Sequence, residues 1–341
     1  MLPTNNHPHK TISKKDPSWL RRAAYRLGLS NKLPLPRRVR RDDPDLMQFN
    51  RKLRRQRQSD AARLPTLQRD LAAAVQARDT VRAQTLVAAI YQTLYGHDGT
   101  TTKQPVTPQT RQAFLERFGC TGWNADILAT LGALGDGRGF VEVGAGHGQW
   151  ARAVSDWRSR RYQEALQRYE QAVQENDPTA TRPTVPHPRT FVKAYDNGSR
   201  LPLNPQIYHN TVPQSRYFGQ VLPCHDVGGI LSQWEHRHRI LLLVYPPPVE
   251  EPTDNDGDRN DKNNDNATND LAWTALQAYT AVGGDTLVYV GEPKGGANAS
   301  DAFFDALVAD EWILTHVLPG VPCGDKGAEK VFILQRRVVK A

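Results

Sequence analysis

The sequence predicts an α/β fold, in which a mostly parallel sheet is covered by helices and preceded by a helical extension. Short apolar segments of strand length alternate with longer helix-compatible segments in the C-terminal part of the chain, as in parallel sheets joined by crossover helices. Two of the apolar segments are followed directly by glycines or by an acid, which is typical of strands that end at a ligand-binding edge. A chain of 341 residues is long enough for one large α/β domain with an appendage.

A glycine-rich loop follows the first strand of the predicted sheet. Residues 140–143 (FVEV) suit a buried strand, and Gly144, Gly146 and Gly148 come before a helix-compatible run that begins at Gln149. Glycine permits positive φ and lets a ligand lie directly against the backbone. The N–H groups at the start of the next helix then face that ligand. The loop is therefore expected to bind a nucleotide-like cofactor, with an ordinary strand–turn–helix as the alternative.

An acid ends the second predicted strand. Residues 190–195 (TFVKAY) have strand composition, Asp196 follows them, and Asn197 and Gly198 form a turn. In open α/β sheets such a carboxylate commonly accepts hydrogen bonds from two ribose hydroxyls. The chain between the glycine loop and this acid predicts a helix extended by several turns, then a proline-rich connector. An ordinary turn aspartate is the alternative role for Asp196.

Five consecutive apolar residues, 240–244 (ILLLV), fit a central strand that is buried on both faces. Tyr245, Pro246, Pro247 and Pro248 then leave the sheet at its carboxyl edge. Proline fixes the backbone and leaves the neighbouring carbonyl groups free to accept a hydrogen bond. The segment is expected to face an acceptor group, and the alternative is a proline run that only ends the strand.

The remaining segments complete the sheet. Residues 285–292 (DTLVYVGE) predict a strand that ends at Glu292, followed by an amphipathic helix that contains Phe303 and Phe304. Residues 312–318 and 330–339 predict an antiparallel pair of strands. Glu292 is expected to face the same crevice as the glycine loop, with a solvated loop carboxylate as the alternative.

Taken in order, residues 140–339 resemble a class I S-adenosyl-L-methionine (SAM) methyltransferase domain, which has a Rossmann-like sheet. The G-x-G-x-G loop with an acid two residues before it resembles motif I of that superfamily. More narrowly, the chain is similar to a functionally uncharacterised methyltransferase-like group. In that group a Trp-containing helical segment (here 123–134), an EVGAGxGxW loop, a strand ending in YD, a strand ending in aromatic-Pro-Pro and a YVGE strand follow one another.

The resemblance implies a transfer of the SAM methyl group by direct displacement to an acceptor that it does not identify. It implies one set of cofactor-binding residues and one of catalytic residues. The cofactor-binding set is Glu142, Gly144, Ala145, Gly146, Gly148, Asp196 and Asp226, in which Glu142 orients the amino group, Asp196 the ribose and Asp226 the adenine. The catalytic set is Tyr245, Pro246, Pro247 and Glu292. No metal is expected.

One departure from the resemblance concerns the fourth motif of amino-group methyltransferases, in which Asn or Asp, two prolines and an aromatic residue clamp a target nitrogen. Here Tyr245 stands where Asn or Asp would be, and Pro248 stands where the aromatic would be. This departure leaves open a catalytically inactive scaffold of the same fold that binds RNA or an RNA–protein assembly. A nicotinamide-dependent oxidoreductase is a further alternative, but its dinucleotide fingerprint needs a glycine where Gln149 stands.

Positive charge is concentrated at the start of the chain. Residues 1–60 contain 16 Lys or Arg and 5 acids, whereas the whole chain has a net charge of +8. This segment is expected to be a disordered basic tail, an organelle presequence or a nucleic-acid contact. The three cysteines are far apart and form no CxxC pair, which favours a reducing compartment. We therefore expect an intracellular protein of the cytoplasm or of an organelle such as the mitochondrion, with no membrane partner.

The domain organisation predicted from these patterns has three parts. Residues 1–60 form the basic tail, residues 61–135 a helical extension, and residues 136–341 the methyltransferase-like domain. An Asn/Asp-rich insertion at 250–270 is expected to be disordered. The helical extension is expected to pack on the sheet domain as a cap or to hold a partner.

Overall fold

The computed structural model of the chain describes residues 35–99, 103–183, 191–198, 220–247 and 270–336. These residues form eight strands and eight α-helices. The strands are β1 (Arg37–Arg38), β2 (Phe140–Val143), β3 (Val192–Asp196), β4 (Val221–Pro223), β5 (Ile240–Val244), β6 (Thr286–Gly291), β7 (Ile313–Pro319) and β8 (Lys330–Gln335). The helices are α1 (Arg51–Gln76), α2 (Thr80–Tyr95), α3 (Pro108–Phe118), α4 (Ala125–Leu134), α5 (Gln149–Gln174), α6 (Val227–Leu231), α7 (Leu271–Ala281) and α8 (Asp301–Ala309).

All eight strands belong to one mixed sheet, in the order β4-β3-β2-β5-β6-β8-β7-β1. The first five strands in this order are parallel, whereas β8 pairs antiparallel with β6 and β7, and β1 pairs antiparallel with β7. β2 lies between β3 and β5, so that Phe140 is in register with Val192 on one side and with Ile240 on the other. The predicted α/β fold, with a mostly parallel sheet and an antiparallel C-terminal pair, is confirmed.

The core lies on both faces of the sheet, and β5 contributes to each. Leu241 and Leu243 pack into a cluster with α7 and α8, whereas Ile240 and Leu242 pack into a second cluster with α4 and α5. All four side chains are fully buried. Alternate residues of a strand point to opposite faces, so a strand covered on both faces has a continuous apolar sequence. The prediction of a central strand at 240–244 is confirmed.

Helix α5 has the predicted start and length, because it begins at Gln149 and continues for 26 residues. Only its first turns contribute buried side chains, among them Trp150 and Val154. The apolar side chains of its second half are partly exposed, and Val173 is 49% exposed. The helix therefore extends past the core that its first turns cover.

The predicted boundary at residue 60 does not coincide with a structural boundary. Within the predicted tail, β1 joins the edge of the sheet, and α1 begins at Arg51. Val39, Leu46 and Phe49 are buried between the cationic residues. The tail is predicted from its excess of cationic residues. That excess describes the exposed side chains and does not reveal the few apolar residues that pack into the core. Residues 1–34 of the predicted tail lie outside the described part of the chain.

The helical extension packs on the sheet domain. α1 and α2 form a helical pair, and α2 ends beside the loop between β7 and β8. In this loop the N–H of Asp325 donates to the carbonyl of Tyr95 at 3.1 Å. Lys326 binds the carboxylate of Asp60 and the carbonyl of Thr93, at 2.7 and 2.8 Å. Among the described residues, no helix is long and apolar enough to cross a membrane.

Candidate cofactor site

The glycine loop lies at the carboxyl end of β2, and its backbone needs glycine. Gly144, Gly146 and Gly148 have φ values of 71°, 56° and 78°, a region that other residues adopt only at a cost. A Cβ atom on Gly144 would lie 2.7 Å from Leu271 of α7, whereas a Cβ on Gly146 would meet no atom within 4 Å. The loop is thus closely packed at its start and open above Gly146. This open side is where a ligand can approach the backbone.

Gly148 is the N-cap of α5 and makes no side-chain capping hydrogen bond. The preceding turn is closed by the N–H of Gly148, which donates to the carbonyl of Ala145 at 2.9 Å. The N–H of Ala145 in turn donates to the carbonyl of Tyr195 on β3 at 3.0 Å. The loop is therefore held between β3 and α5, and the start of α5 carries positive partial charge without a side-chain cap.

Glu142 lies on β2 beneath the first turn of α5. Its side chain is only 1% exposed, and its Oε2 atom has no hydrogen-bond partner among the described residues. The pKa of Glu142 is raised to about 8, chiefly by burial and also by the charge of Asp196, while a hydrogen bond from the Ala151 backbone acts in the opposite direction. A buried carboxylate with an orphaned oxygen is costly in the absence of a partner, so this position favours a cationic ligand group.

Asp196 ends β3 and contacts the glycine loop. Its Oδ2 atom accepts a hydrogen bond from the N–H of Gly146 at 2.8 Å, and its Oδ1 atom accepts one from the N–H of Gly198 at 2.8 Å. Each carboxylate oxygen has a second lone pair that can accept from a ligand hydroxyl. The structure therefore places the predicted acid against the predicted loop, although the two are 50 residues apart in the chain.

Asp226 lies one strand further out, after β4. Its Oδ1 atom accepts from the N–H of Gly229 at 2.9 Å and caps α6. The chain reaches this position through Cys224, whose N–H donates to the carbonyl of Asp196 at 2.8 Å. The side chain is exposed. Asp226 is thus close to Asp196 along the same sheet edge, and its role towards adenine stays a prediction.

Tyr245 ends the central strand β5 in a strained conformation, with φ of 50°. An aromatic residue in this region costs about 1–2 kcal/mol relative to the ordinary right-handed conformation. Its N–H donates to the carbonyl of Val290 at 2.7 Å, and the carbonyl of Pro246 accepts from the N–H of Ala299 at 3.1 Å. Ala299 also has positive φ, at 53°. Two strained residues therefore meet beside the glycine loop, while Pro248 lies outside the described residues.

Glu292 follows β6 and is held by the helical extension. Its side chain is 1% exposed and forms an ion pair with Arg57 of α1, whose side chain is 38% exposed. The N–H groups of Ala297 and Ala328 also donate to its carboxylate, at 2.7 and 3.2 Å. These three partners give Glu292 a role in joining α1 to the sheet. These contacts give no support to the predicted catalytic role of Glu292. The alternative prediction, a solvated loop carboxylate, does not agree with the burial of its side chain.

The strand order decides which predicted residues come together. Along the carboxyl edge the sequence of strands is β4, β3, β2, β5 and β6. The candidate residues that follow these strands therefore lie in one row, namely Asp226, Asp196, the loop at 144–148, Tyr245 with Pro246 and Pro247, and Glu292. Glu142, Asp196 and the glycine loop form the compact centre of this row.

Three residues near the site carry no role in the sequence-based prediction. Asp270, assigned to the end of the acidic insertion, is buried and caps α7 through the N–H of Trp273 at 2.9 Å. Its other carboxylate oxygen binds the hydroxyl of Ser300, which caps α8. An Asp directly before an apolar helical run is an N-cap signal and would have identified Asp270. Arg57 had no such signal, because its partner is distant in the chain. Residues 250–269 of the insertion lie outside the described residues.

No group of three or more His, Cys, Asp or Glu side chains that could hold a metal ion occurs in the described ranges. No protein-family model matches the chain, and neither a curated protein nor a solved structure is significantly similar to it.

Proposed function

We propose that this protein is a SAM-dependent methyltransferase that transfers a methyl group by direct displacement. The observation that carries the proposal is the buried, partly unpartnered carboxylate of Glu142 beneath a glycine loop that is open above Gly146. A ligand that suits this place carries a cationic amino group close to a nucleoside. SAM combines both, and its product S-adenosylhomocysteine keeps them.

The residues fit such a ligand in their order along the sheet edge. Glu142 would hold the amino group. A buried charge without a partner is costly, so an ion pair formed at this place would be more stabilising than an ion pair exposed to water. Gly144, Ala145 and Gly146 would lie against the methionine part, and Asp196 would accept from the ribose hydroxyls. Asp226 is placed further along the same edge, where the adenine would follow the ribose.

SAM supplies an electrophilic methyl group on a sulfonium, so the protein's task is to align the acceptor with the carbon–sulfur bond. Tyr245 and the two prolines after it directly follow β5, the strand that pairs with β2. Their backbone is held by hydrogen bonds to Val290 and Ala299. A rigid segment at this position would fix the acceptor against the methyl group and exclude water from it.

The alternative is a scaffold that keeps this fold without catalysis and binds RNA or an RNA–protein assembly. One observation favours it, since both carboxylate oxygens of Asp196 already accept backbone hydrogen bonds. A ribose would have to use the remaining lone pairs. The unusual Tyr-Pro-Pro-Pro segment is the second reason to keep this alternative.

Calorimetric titration of the full chain with SAM, S-adenosylhomocysteine and NAD tests the proposal. Residues 35–60 must be kept, because β1 and α1 belong to the fold. Micromolar binding of SAM and its product without binding of NAD would support the proposal. Absence of binding for both SAM and its product would contradict it and favour the scaffold, whereas binding of NAD alone would favour an oxidoreductase.

A further inference from the structure

The first two turns of α1 present four exposed cations, and three of them, Arg51, Lys52 and Arg55, lie next to one another on the helix. None of the three forms an ion pair with an acid in the described part of the chain. We call their side chains the α1 cationic surface. The two other cations of these turns point towards the sheet domain, where Arg54 contacts the carbonyl of Lys294 at 3.5 Å and Arg57 binds Glu292.

This arrangement is unfavourable for the isolated protein. Arg51 and Arg55 are four residues apart, and Lys52 and Arg55 three apart, so they are neighbours on the helix and repel one another. The first turn of α1 contains no acid that would compensate the helix dipole. On α5, by contrast, Arg152 pairs with Asp156 at 2.6 Å and Arg161 pairs with Glu164 at 2.6 Å. An external anion would remove this cost at α1.

One loop joins helix α1 to the acceptor side of the candidate site. Arg54 and Arg57 of α1 contact residues 294 and 292, at the start of the loop between β6 and α8. The end of the same loop reaches Pro246, whose carbonyl accepts from the N–H of Ala299 at 3.1 Å. This loop therefore connects helix α1, which carries the cationic surface on another face, to the segment that contains Pro246.

We infer that the α1 cationic surface binds the phosphate backbone of a single-stranded nucleic acid that carries the methyl acceptor. The inference rests on the proposed function. Three neighbouring cations over about one helical turn, roughly 6 Å along the axis, suit the successive phosphates of a nucleic acid. A single strand also leaves its bases free to enter a site. A membrane surface fits less well, because the side chains between the cations are polar, with Gln56 exposed and Leu53 partly buried.

The test measures binding of a fluorescein-labelled single-stranded RNA of mixed sequence to the full chain by fluorescence anisotropy. The variant is Arg51→Gln with Lys52→Gln and Arg55→Gln. The control, Arg160→Gln with Arg168→Gln and Arg182→Gln, removes the same number of exposed cations from α5 and the segment after it. We expect about tenfold or greater loss of affinity in the α1 variant and less than about twofold loss in the control. The slope of log affinity against log salt should fall by about 2, since each contact on a single strand contributes about 0.7.

Equal affinities of the two variants, or no RNA binding by the wild type, would overturn the inference. Stronger binding to phosphatidylserine vesicles than to RNA, lost in the α1 variant, would also overturn it and favour a membrane surface. Calorimetry with SAM on both variants separates this inference from the proposed function, because neither variant changes a residue of the cofactor site. Loss of RNA binding with unchanged SAM binding supports the inference, whereas a wild type without SAM binding contradicts the proposed function alone.

Discussion

The Oδ2 atom of Asp196 accepts a hydrogen bond from the N–H of Gly146 at 2.8 Å, and this contact joins the acid at the end of β3 to the glycine loop after β2. The two parallel strands bring their carboxyl ends to the same edge of the sheet. Glu142 lies on β2, two residues before the glycine loop, and the negative charge of Asp196 contributes to the raised pKa of Glu142. The candidate cofactor site is therefore a cluster of interacting groups, and its members can be tested one at a time.

The open space above Gly146 predicts how the methyl side chain of an alanine at this position would affect stability and SAM binding. Gly146→Ala should cost about 1–2 kcal/mol of folding free energy, because the residue keeps positive φ. It should weaken SAM binding by about tenfold or more, since the new Cβ would occupy the space left for the ligand. Thermal unfolding and calorimetry measure the two effects.

Gly137→Ala is the matched control for this change. Gly137 has φ of 76°, and a Cβ atom there also meets nothing within 4 Å, but it lies before β2, at the opposite end of the strand from the loop. Its substitution should cost similar stability and leave SAM binding unchanged. Equal binding by both alanine variants would remove Gly146 from the cofactor site.

Removal of the Asp196 carboxylate should weaken SAM binding well beyond its effect on folding. A hydrogen bond to a charged group contributes about 1.5–3 kcal/mol, so Asp196→Ala should raise the dissociation constant of SAM by about tenfold or more. The control is Asp177→Ala, because Asp177 accepts from the N–H of Thr179 in a similar turn at an exposed position. Unchanged SAM affinity in a folded Asp196→Ala variant would contradict the ribose assignment.

The pKa of Glu142 predicts a pH dependence of stability. Burial raises this pKa from 4.5 to about 8, so the folded protein holds a proton that the unfolded chain has lost. The corresponding stabilisation is fully present below pH about 4.5 and is lost as the pH rises through about 8. Glu142→Gln lacks this loss, and its unfolding temperature should therefore rise relative to the wild type across this range.

Glu329, whose pKa burial raises to about 7, changes stability in the same direction but is present in both proteins. The difference between wild type and Glu142→Gln therefore isolates Glu142. A constant difference in unfolding temperature between pH 4.5 and about 8 would show that the carboxyl is not buried as described. SAM binding should be weaker in Glu142→Gln, because the carboxyl group can release its proton and pair with the ammonium group as a carboxylate, whereas an amide cannot become charged.

The position of the strained segment at Tyr245 predicts that a change there affects methyl transfer but not SAM binding. Tyr245→Ala should leave SAM affinity within about twofold of the wild type, because Tyr245 lies on the acceptor side of the loop. Transfer of labelled methyl groups from SAM to RNA should fall by about tenfold or more, since the acceptor loses its support. Equal loss of binding and transfer would instead assign Tyr245 a structural role.

The ion pair between Arg57 and Glu292 predicts a stability effect that is separate from the cofactor. Arg57→Ala should cost about 1–3 kcal/mol, because a buried carboxylate loses its charged partner and keeps only two backbone donors. The double variant Arg57→Ala with Glu292→Gln should recover part of this loss, since no charge then stays buried. A double variant less stable than Arg57→Ala would show that Glu292 stabilises the fold without Arg57.

Local sequence was enough to predict the sheet and the contact between the glycine loop and the acid after β3. The apolar run at 240–244 requires burial on both faces, and alternate glycines after β2 require a backbone that other residues rarely adopt. The acid after β3 could be predicted to lie near that loop, because parallel strands end at a common edge. These inferences need only short segments of sequence and the rule that the carboxyl ends of parallel strands lie at one edge of the sheet.

The sequence by itself thus determined the α/β class, the central strand and the glycine loop with its neighbouring acid. Only the tertiary structure decided that 35–60 belongs to the fold and that Glu292 pairs with Arg57, at a separation of 235 residues. The physical reason is that apolar runs and glycines constrain the backbone where they occur. A charged side chain, by contrast, can be stabilised either by solvent or by an ion pair. Which of these it adopts depends on the distant residue that the completed fold brings beside it.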